Sequence, residues 1–377
     1  MTAAQVALTP PLPKSSRPPQ GDSRDVATLV VFVLAAVSLV VSVVAVGFGI
    51  RAVDKSETGS SSAASPPRNA SPAGHSMAAG APAMTAAEVE EMDGAMAAVT
   101  KKFPAATKGA GAQDLAPTVL PNGTRQFELT TSEVSWEVEP GRFVDAMAYN
   151  GTVPGPTLRV EPGDQVRILV KNAMAQSTAV HIHGIEIPNA MDGVPDITQP
   201  PIKPGGTFAY EFTAQNSPAV GMYHSHHNSA EQVPDGLAGA FLIGRLPTPG
   251  VEIASEQVMM LNDAGSIGFS LNGKSFPATA PVSVKLGDWV LIHYLNEGIM
   301  AHPMHLHGLP QLVVAKDGFP LDQPYRADTV NVSPGERYSI LVQATEPGVW
   351  AWHCHILPHA ERSTGMFGMV TVMIVEP

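Results

Sequence analysis

The sequence predicts an all-β body of two similar β-sandwich domains, carried behind an N-terminal transmembrane helix and a flexible tether. Three observations predict it. From residue 122 the chain runs in short β-type segments such as "TLRVEPGDQVRILVKN", "GTFAYEFTA" and "DWVLIHYLNE", divided by turn signals at Asn150–Gly151, Pro162–Gly163 and Pro204–Gly205. Glycine and proline are abundant, 34 and 35 of 377 residues, which suits many short elements joined by turns. Finally, the body repeats itself. "VHIHG" at 180–184 returns as "MHLHG" at 304–308, and "MYHSHHNSAEQVPDGLAGAFLIG" at 222–244 aligns without a gap to "AWHCHILPHAERSTGMFGMVTVM" at 351–373. Such self-similarity marks one unit used twice, here 122–247 and 248–377, with "RLPTPGVE" between them.

The elements follow in order. Residues 1–25 form a polar tail with Lys14, Arg17 and Arg24. Val26 to Ile50 is free of charge. As a helix it would be about 37 Å long, enough for a hydrocarbon layer of about 30 Å. It is too long for a signal-peptide core and has a poor cleavage site, so the expectation is a single-pass anchor, with a cleaved signal as the alternative. The basic residues before it place the tail in the cytoplasm and the rest outside the cell membrane. Residues 51–83, with "SETGSSSAASPPRNASPAG", are too poor in large apolar residues to order themselves and read as a linker. Within 84–121, "TAAEVEEMDGAMAAVTKKF" reads as a short helix followed by a connector. Thr85 and Glu88 have capping-box spacing, and Met92 and Met96, one turn apart, form an apolar stripe for docking on the body.

The histidines carry the chemistry. Ten of the thirteen fall in four short motifs. Each repeat holds two His-x-His pairs: His181 with His183 and His224 with His226, then His305 with His307 and His353 with His355. Residues i and i+2 of a strand share a face, so each pair aims two imidazoles at one place. Four pairs in repeat register point to a polynuclear metal site, and imidazole alone admits copper, zinc, iron or nickel. Cys354, the single cysteine, excludes an intramolecular disulfide and lies between His353 and His355. In a strand it faces away from both, toward a second site. With His302, His359 and Met366 it makes the one-thiolate, two-imidazole, one-thioether set that suits a blue copper centre. A structural zinc site would favour more thiolates, and a cysteine nucleophile has no use for so many paired histidines. In the first repeat Thr178, Ser225, Ala230 and Leu237 stand where the second has His302, Cys354, His359 and Met366. Both His-x-His pairs survive there, so the two ligand classes serve separable sites. A formal charge of −12 argues against a nucleic-acid partner. His75, His227 and His293 need no functional role.

Through "HIHG", "HSH", "HPMHLHG" and "HCHILPH…GM", the chain resembles the multicopper oxidases over about residues 122–377, and within them the two-domain, small-laccase-like branch. The resemblance implies Greek-key cupredoxin sandwiches and four coppers per chain. Type 1 is held by His302, Cys354 and His359. Type 2 is held by His181 and His305. The two type 3 ions are held by His183, His224, His226, His307, His353 and His355. It implies electrons taken from a small-molecule or metal-ion donor at type 1 and four-electron reduction of O2 to water at the other three. It also implies a homotrimer with each trinuclear cluster at a subunit interface. Two positions depart from the family pattern. Thr364 occupies the usual place of the axial ligand, and Met366, in a Gly-Met step matching Gly236–Leu237, is preferred to it. Ala360 stands where an acid often follows the type 1 histidine, with Glu361 one later. Asp192, nine residues after His183, fits a proton-delivering acid beside the cluster. Three rivals remain: a copper nitrite reductase, which has no use for His355; a copper-storage or delivery protein; and an oxidase of Cu(I) or Fe(II).

Overall fold

A computed structural model describes residues 84–248 and 250–377, and these form two β-sandwiches preceded by a helix. The expected tail, anchor and linker lie outside the described residues, and with them the expected membrane placement. Among the described residues no helix is long and apolar enough to cross a membrane.

The helix runs Ala86–Thr100 and starts where the capping box sets it: the Glu88 amide donates to Thr85 Oγ1, and the Thr85 amide donates to Glu88 Oε2 at 2.7 Å. Met92, Met96 and Val99, spaced 4 and 3 apart, are its half-buried positions. Val99 packs on a small cluster of Phe276, Ala360 and Val370, and Met96 lies against Gly365. The connector then contributes to the first sandwich. Asp114–Leu115 pairs in parallel with Thr157–Leu158, and Thr118–Val119 pairs with Arg125–Gln126.

In the first sandwich one sheet places Thr157–Val160, Ala238–Ile243, Ala219–Ser225 and Val180–His183 side by side, and the other holds Arg125–Glu139, Arg142–Tyr149, Gln165–Asn172 and Thr207–Thr213. The alternation of "QVRILVKN" buries Val166, Ile168 and Val170. "AGAFLI", by contrast, is apolar throughout and buried at every position. Its inner face joins the first core through Phe241 and Ile243. Its outer face, with Val220 and Met222 of the neighbouring strand, packs on Met260, Leu295 and Ala315 of the second sandwich. The second sandwich pairs a six-stranded sheet with a five-stranded one, the latter placing Val370–Glu376, Gly348–Cys354, His302–Leu306 and Thr329–Val332 side by side.

Polar ties cross the same junction. Trp136 Nε1 donates to the Gly273 carbonyl at 2.6 Å, Lys274 Nζ donates to the Glu137 carbonyl at 2.7 Å, and Arg159 pairs with Glu256 at 3.0 Å. Buried Arg337 donates from Nε to the Val220 carbonyl at 2.9 Å.

Candidate metal centre

The strand Gly348–Cys354 builds two sites at once. Cys354 pairs with Met304, and His353 pairs with His305 on the adjacent strand. His302, Met304 and Leu306 turn inward and are buried, while His305 and His307 turn out on the other face. Cys354 faces the core with His302, whereas His353 and His355 face outward, as period-two alternation requires.

Inside the sandwich, Cys354, His302 and His359 converge. Each histidine presents Nδ1 to Cys354 Sγ at 3.7 Å, their rings are 5.4 Å apart, and all three residues are buried. Of the described residues this is the one such group of His, Cys and acidic side chains whose ligand atoms lie within 4.8 Å of one another. A metal about 2.0 Å from nitrogen and about 2.3 Å from sulfur, at trigonal angles, spans a sulfur–nitrogen distance of about 3.7 Å. The donor set therefore fits a first-row ion, and its one thiolate and two imidazoles fit copper. Burial pushes the Cys354 thiol up to about 11 and His302 down to about 4. Low proton affinity keeps the imidazole free as a donor at neutral pH, while the thiol requires the positive charge of an ion to ionise. Phe269 stacks on His359 at 4.2 Å. Thr364 is exposed at the turn of a small hairpin, its hydroxyl accepting from Arg362 Nε at 3.1 Å. Met366, on the returning strand of that hairpin, is half-buried against the Phe276, Ala360 and Val370 cluster.

On the outer faces, each sandwich gathers four imidazoles. In the first, His181 lies 5.7 Å from His183, 5.4 Å from His224 and 5.6 Å from His226 between ring centres. In the second, His305 lies 4.7 Å from His307, 5.7 Å from His353 and 5.5 Å from His355. The registers match: His181 opposes His224 as His305 opposes His353. The Nδ1 atoms match as well. His224 and His353 each donate to the carbonyl of the next residue at 3.0 Å, while His181 and His305 donate to the carbonyls of Asp192 and Asp328 at 2.7 and 3.2 Å. Each donated Nδ1–H leaves an Nε2 lone pair for a metal. His307 Nε2 and His353 Nε2 lie 3.0 Å apart, as two ligands of one ion do. Arg337 Nη1 lies 3.5 Å from His183 Nδ1, and burial together with that charge takes His183 down to about 4. No ring pair links the two sets among the described residues, and His226, His307 and His355 are exposed.

Asp192 thus stands beside His181, its Oδ1 3.5 Å from Nδ1. Asp328 does the same for His305, with Oδ2 at 3.1 Å from Nδ1. Sequence reading found the first by its spacing from His183 and missed the second, which lies 21 residues past His307 and carries no motif. It also missed Arg337 and Asp263, whose Oδ2 lies 3.5 Å from His302 Nε2. In the first sandwich the position of the thiolate site is plugged. Gln232 Oε1 accepts from Thr178 Oγ1 at 2.9 Å and from Ser225 Oγ at 2.6 Å, and Gln232 Nε2 donates to the Ser177 carbonyl at 2.8 Å. Of the remaining histidines, His293 is buried between Ser339 and Glu256.

Two sequence profiles, both described as multicopper oxidase, match residues 130–247 and 250–376. Among solved structures, the multicopper oxidase mgLAC is 36% identical with a TM-score of 0.63, over 66% of this chain and 86% of that one. The blue copper oxidase from Nitrosomonas europaea is 32% identical with a TM-score of 0.62, over 66% of this chain and 85% of that one. Among curated proteins, copper resistance protein A of Pseudomonas syringae pv. tomato is 39% identical over 138 residues, 37% of this chain and 22% of that protein's length.

Proposed function

The chain belongs to the multicopper oxidase family, and from that premise we propose that it is a laccase-like oxidase that couples one-electron oxidation of a reductant to reduction of O2 to water. The observation that carries this reading is the strand 353–355. One buried thiol, with two imidazoles at 3.7 Å, is flanked in sequence by two imidazoles that belong to a four-histidine group on the opposite face. His302, Cys354 and His359 would hold the type 1 ion, with Met366 as the fourth ligand in preference to exposed Thr364. His181 and His305 would hold type 2, and His183, His224, His226, His307, His353 and His355 would hold the type 3 pair. When bound, these coppers supply one-electron acceptance at the thiolate site and four-electron reduction of O2 at the imidazole sites.

The chain's own groups do the rest. The peptide units on either side of Cys354 form the covalent path between the two sites. The carbonyls that accept from His181, His224, His305 and His353 fix those rings with Nε2 outward. Asp192 and Asp328 place carboxylates beside the two type 2 histidines, where they would relay protons toward the imidazole sites. Phe269 shields the His359 ring and keeps that side of the thiolate site dry.

Each sandwich supplies half of the eight imidazoles, and among the described residues no ring of one set pairs with a ring of the other. A neighbouring copy completes each half: the first sandwich of one subunit faces the second sandwich of the next. That contact is head-to-tail and closes as a ring of three. The uncharged segment 26–50 anchors this assembly in the cell membrane with the sandwiches outside. Alkaline extraction of membranes checks the last point, since release of the full chain into the supernatant would refute the anchor.

The deciding experiment is copper quantification with absorption and EPR spectra of the purified protein, together with O2 uptake on phenolic, Cu(I) and Fe(II) donors. Four coppers per chain, one blue and one type 2, with O2 consumed, is the expected result. Two mononuclear coppers and turnover of nitrite without O2 uptake would establish the reductase reading instead. Comparing rates across donors separates a laccase from a metal-ion oxidase.

A further inference from the structure

Behind the thiolate site lies a carboxylate that no copper ligand set requires. The side chains of Asp263 and His302 are both 0% exposed, and Asp263 Oδ2 lies 3.5 Å from His302 Nε2. Neither atom has another hydrogen-bond partner among the described residues. The other oxygen is anchored, because Oδ1 accepts the Ile299 amide at 2.7 Å. A buried carboxylate is costly unless something compensates it, and here what faces the open oxygen is the back of a ligand ring. Gly298 makes the arrangement possible: a Cβ there would lie 2.5 Å from Asp263 Oδ1 and 3.0 Å from its Cγ.

We propose that Asp263 is a positioning residue of the type 1 site: its Oδ2 takes the Nε2–H of His302 and so fixes the tautomer that leaves Nδ1 free toward Cys354. The inference rests on the thiolate site being the type 1 centre. An imidazole that gives Nδ1 to a metal must carry its proton on Nε2, and that proton needs an acceptor in a site closed to water. Asp263 is the acceptor in place. Its negative charge also sits beside the centre, where it favours the oxidised, more positive ion over the reduced one, so Asp263 lowers the potential.

Three substitutions in the full-length, copper-loaded protein test this, each alongside a melting curve. Asp263→Ala removes charge and acceptor, and its type 1 potential is expected to rise by about tenfold in the oxidised-to-reduced equilibrium, about 59 mV for one electron. Gly298→Ala touches no ligand, yet it displaces the carboxylate and is expected to shift the potential in the same direction. Asp263→Asn is expected to retain copper less well than Asp263→Ala. With its oxygen held by the Ile299 amide, it turns an N–H donor toward Nε2 and so favours the opposite tautomer. In the metal-free wild type, nitrogen NMR of His302 should show the proton on Nε2. Potentials equal to wild type in the folded Asp263→Ala and Gly298→Ala proteins would overturn the proposal, as would a wild-type His302 carrying its proton on Nδ1. If the variants do not fold, the wild-type tautomer decides alone. Absence of a blue band from the wild type would instead sink the copper reading, so the two failures are distinguishable.

Discussion

At the scale of single residues, the outcome turns on which way each side chain of 353–355 points. Cys354 is buried, His353 is half-buried and His355 is exposed, so one strand serves two sites. Cys354→Ser is expected to abolish the blue absorption and lower O2 uptake at least ~100-fold. The fold should survive, because the first sandwich already carries Ser225 at the equivalent place; absorption spectra and a melting curve check both halves. Met366→Leu should keep the blue colour and raise the type 1 potential, whereas Thr364→Ala should change neither, and redox titration separates the two. The paired histidines were legible in the sequence because a period of two is a local rule, and repeat register multiplied the signal. Asp263, Asp328 and Arg337 were not. Each reaches its histidine from a different strand or loop, and no spacing along the chain encodes a contact made across it.

At the scale of elements, the short helix Ser229–Gln232 shows where alignment and geometry part. Gapless matching sets Ala230 opposite His359, but it is Gln232, fully buried, that fills the plugged site with Thr178 and Ser225. Gln232→Ala would remove the acceptor that two buried hydroxyls share and leave a cavity, and chemical denaturation should show a loss of roughly 1–3 kcal/mol. The N-terminal helix was readable from its capping box, and Thr85→Ala should cost that helix about 1 kcal/mol, read as increased amide exchange over 86–90.

The strand end at Glu297 has a different signature. Its Oε1 is out of solvent without a partner, and burial raises the carboxyl to about 8 against the pull of Arg337. Between the ordinary carboxyl range and about pH 8 the folded chain binds one more proton than the unfolded chain, so stability falls as pH rises through that window. Glu297→Gln should flatten this slope, near neutral at pH 5 and stabilising by roughly 1–3 kcal/mol at pH 9, in denaturation series run at both.

At the scale of the whole molecule, the two sandwiches are joined by an apolar seam, with Val220, Met222 and Leu242 against Met260, Leu295 and Ala315, and by Trp136, Lys274 and Arg337 reaching across. The all-β class and the duplication were visible in the sequence, since turn residues and repeat spacing are local records. That "AGAFLI" is covered on both faces was not visible as a seam, because an apolar run does not say what covers it. If the imidazole halves are completed by neighbours, the protein should sediment as a trimer. Protomers released by dilution should then keep the blue colour and lose the type 2 EPR signal together with O2 uptake. Protomers retaining both would refute completion by a neighbour.

The Thr178, Ser225 and Gln232 plug gives the two halves of the chain unequal dependence on their surroundings. The first half closes its own interior with hydroxyls and an amide and asks nothing of the medium. The second would be closed by an ion held between a thiol and two rings, so in a copper-starved cell it would be the softer half, the one reached first by proteases. Metal supply would then govern not only whether the molecule works but how long each part of it lasts.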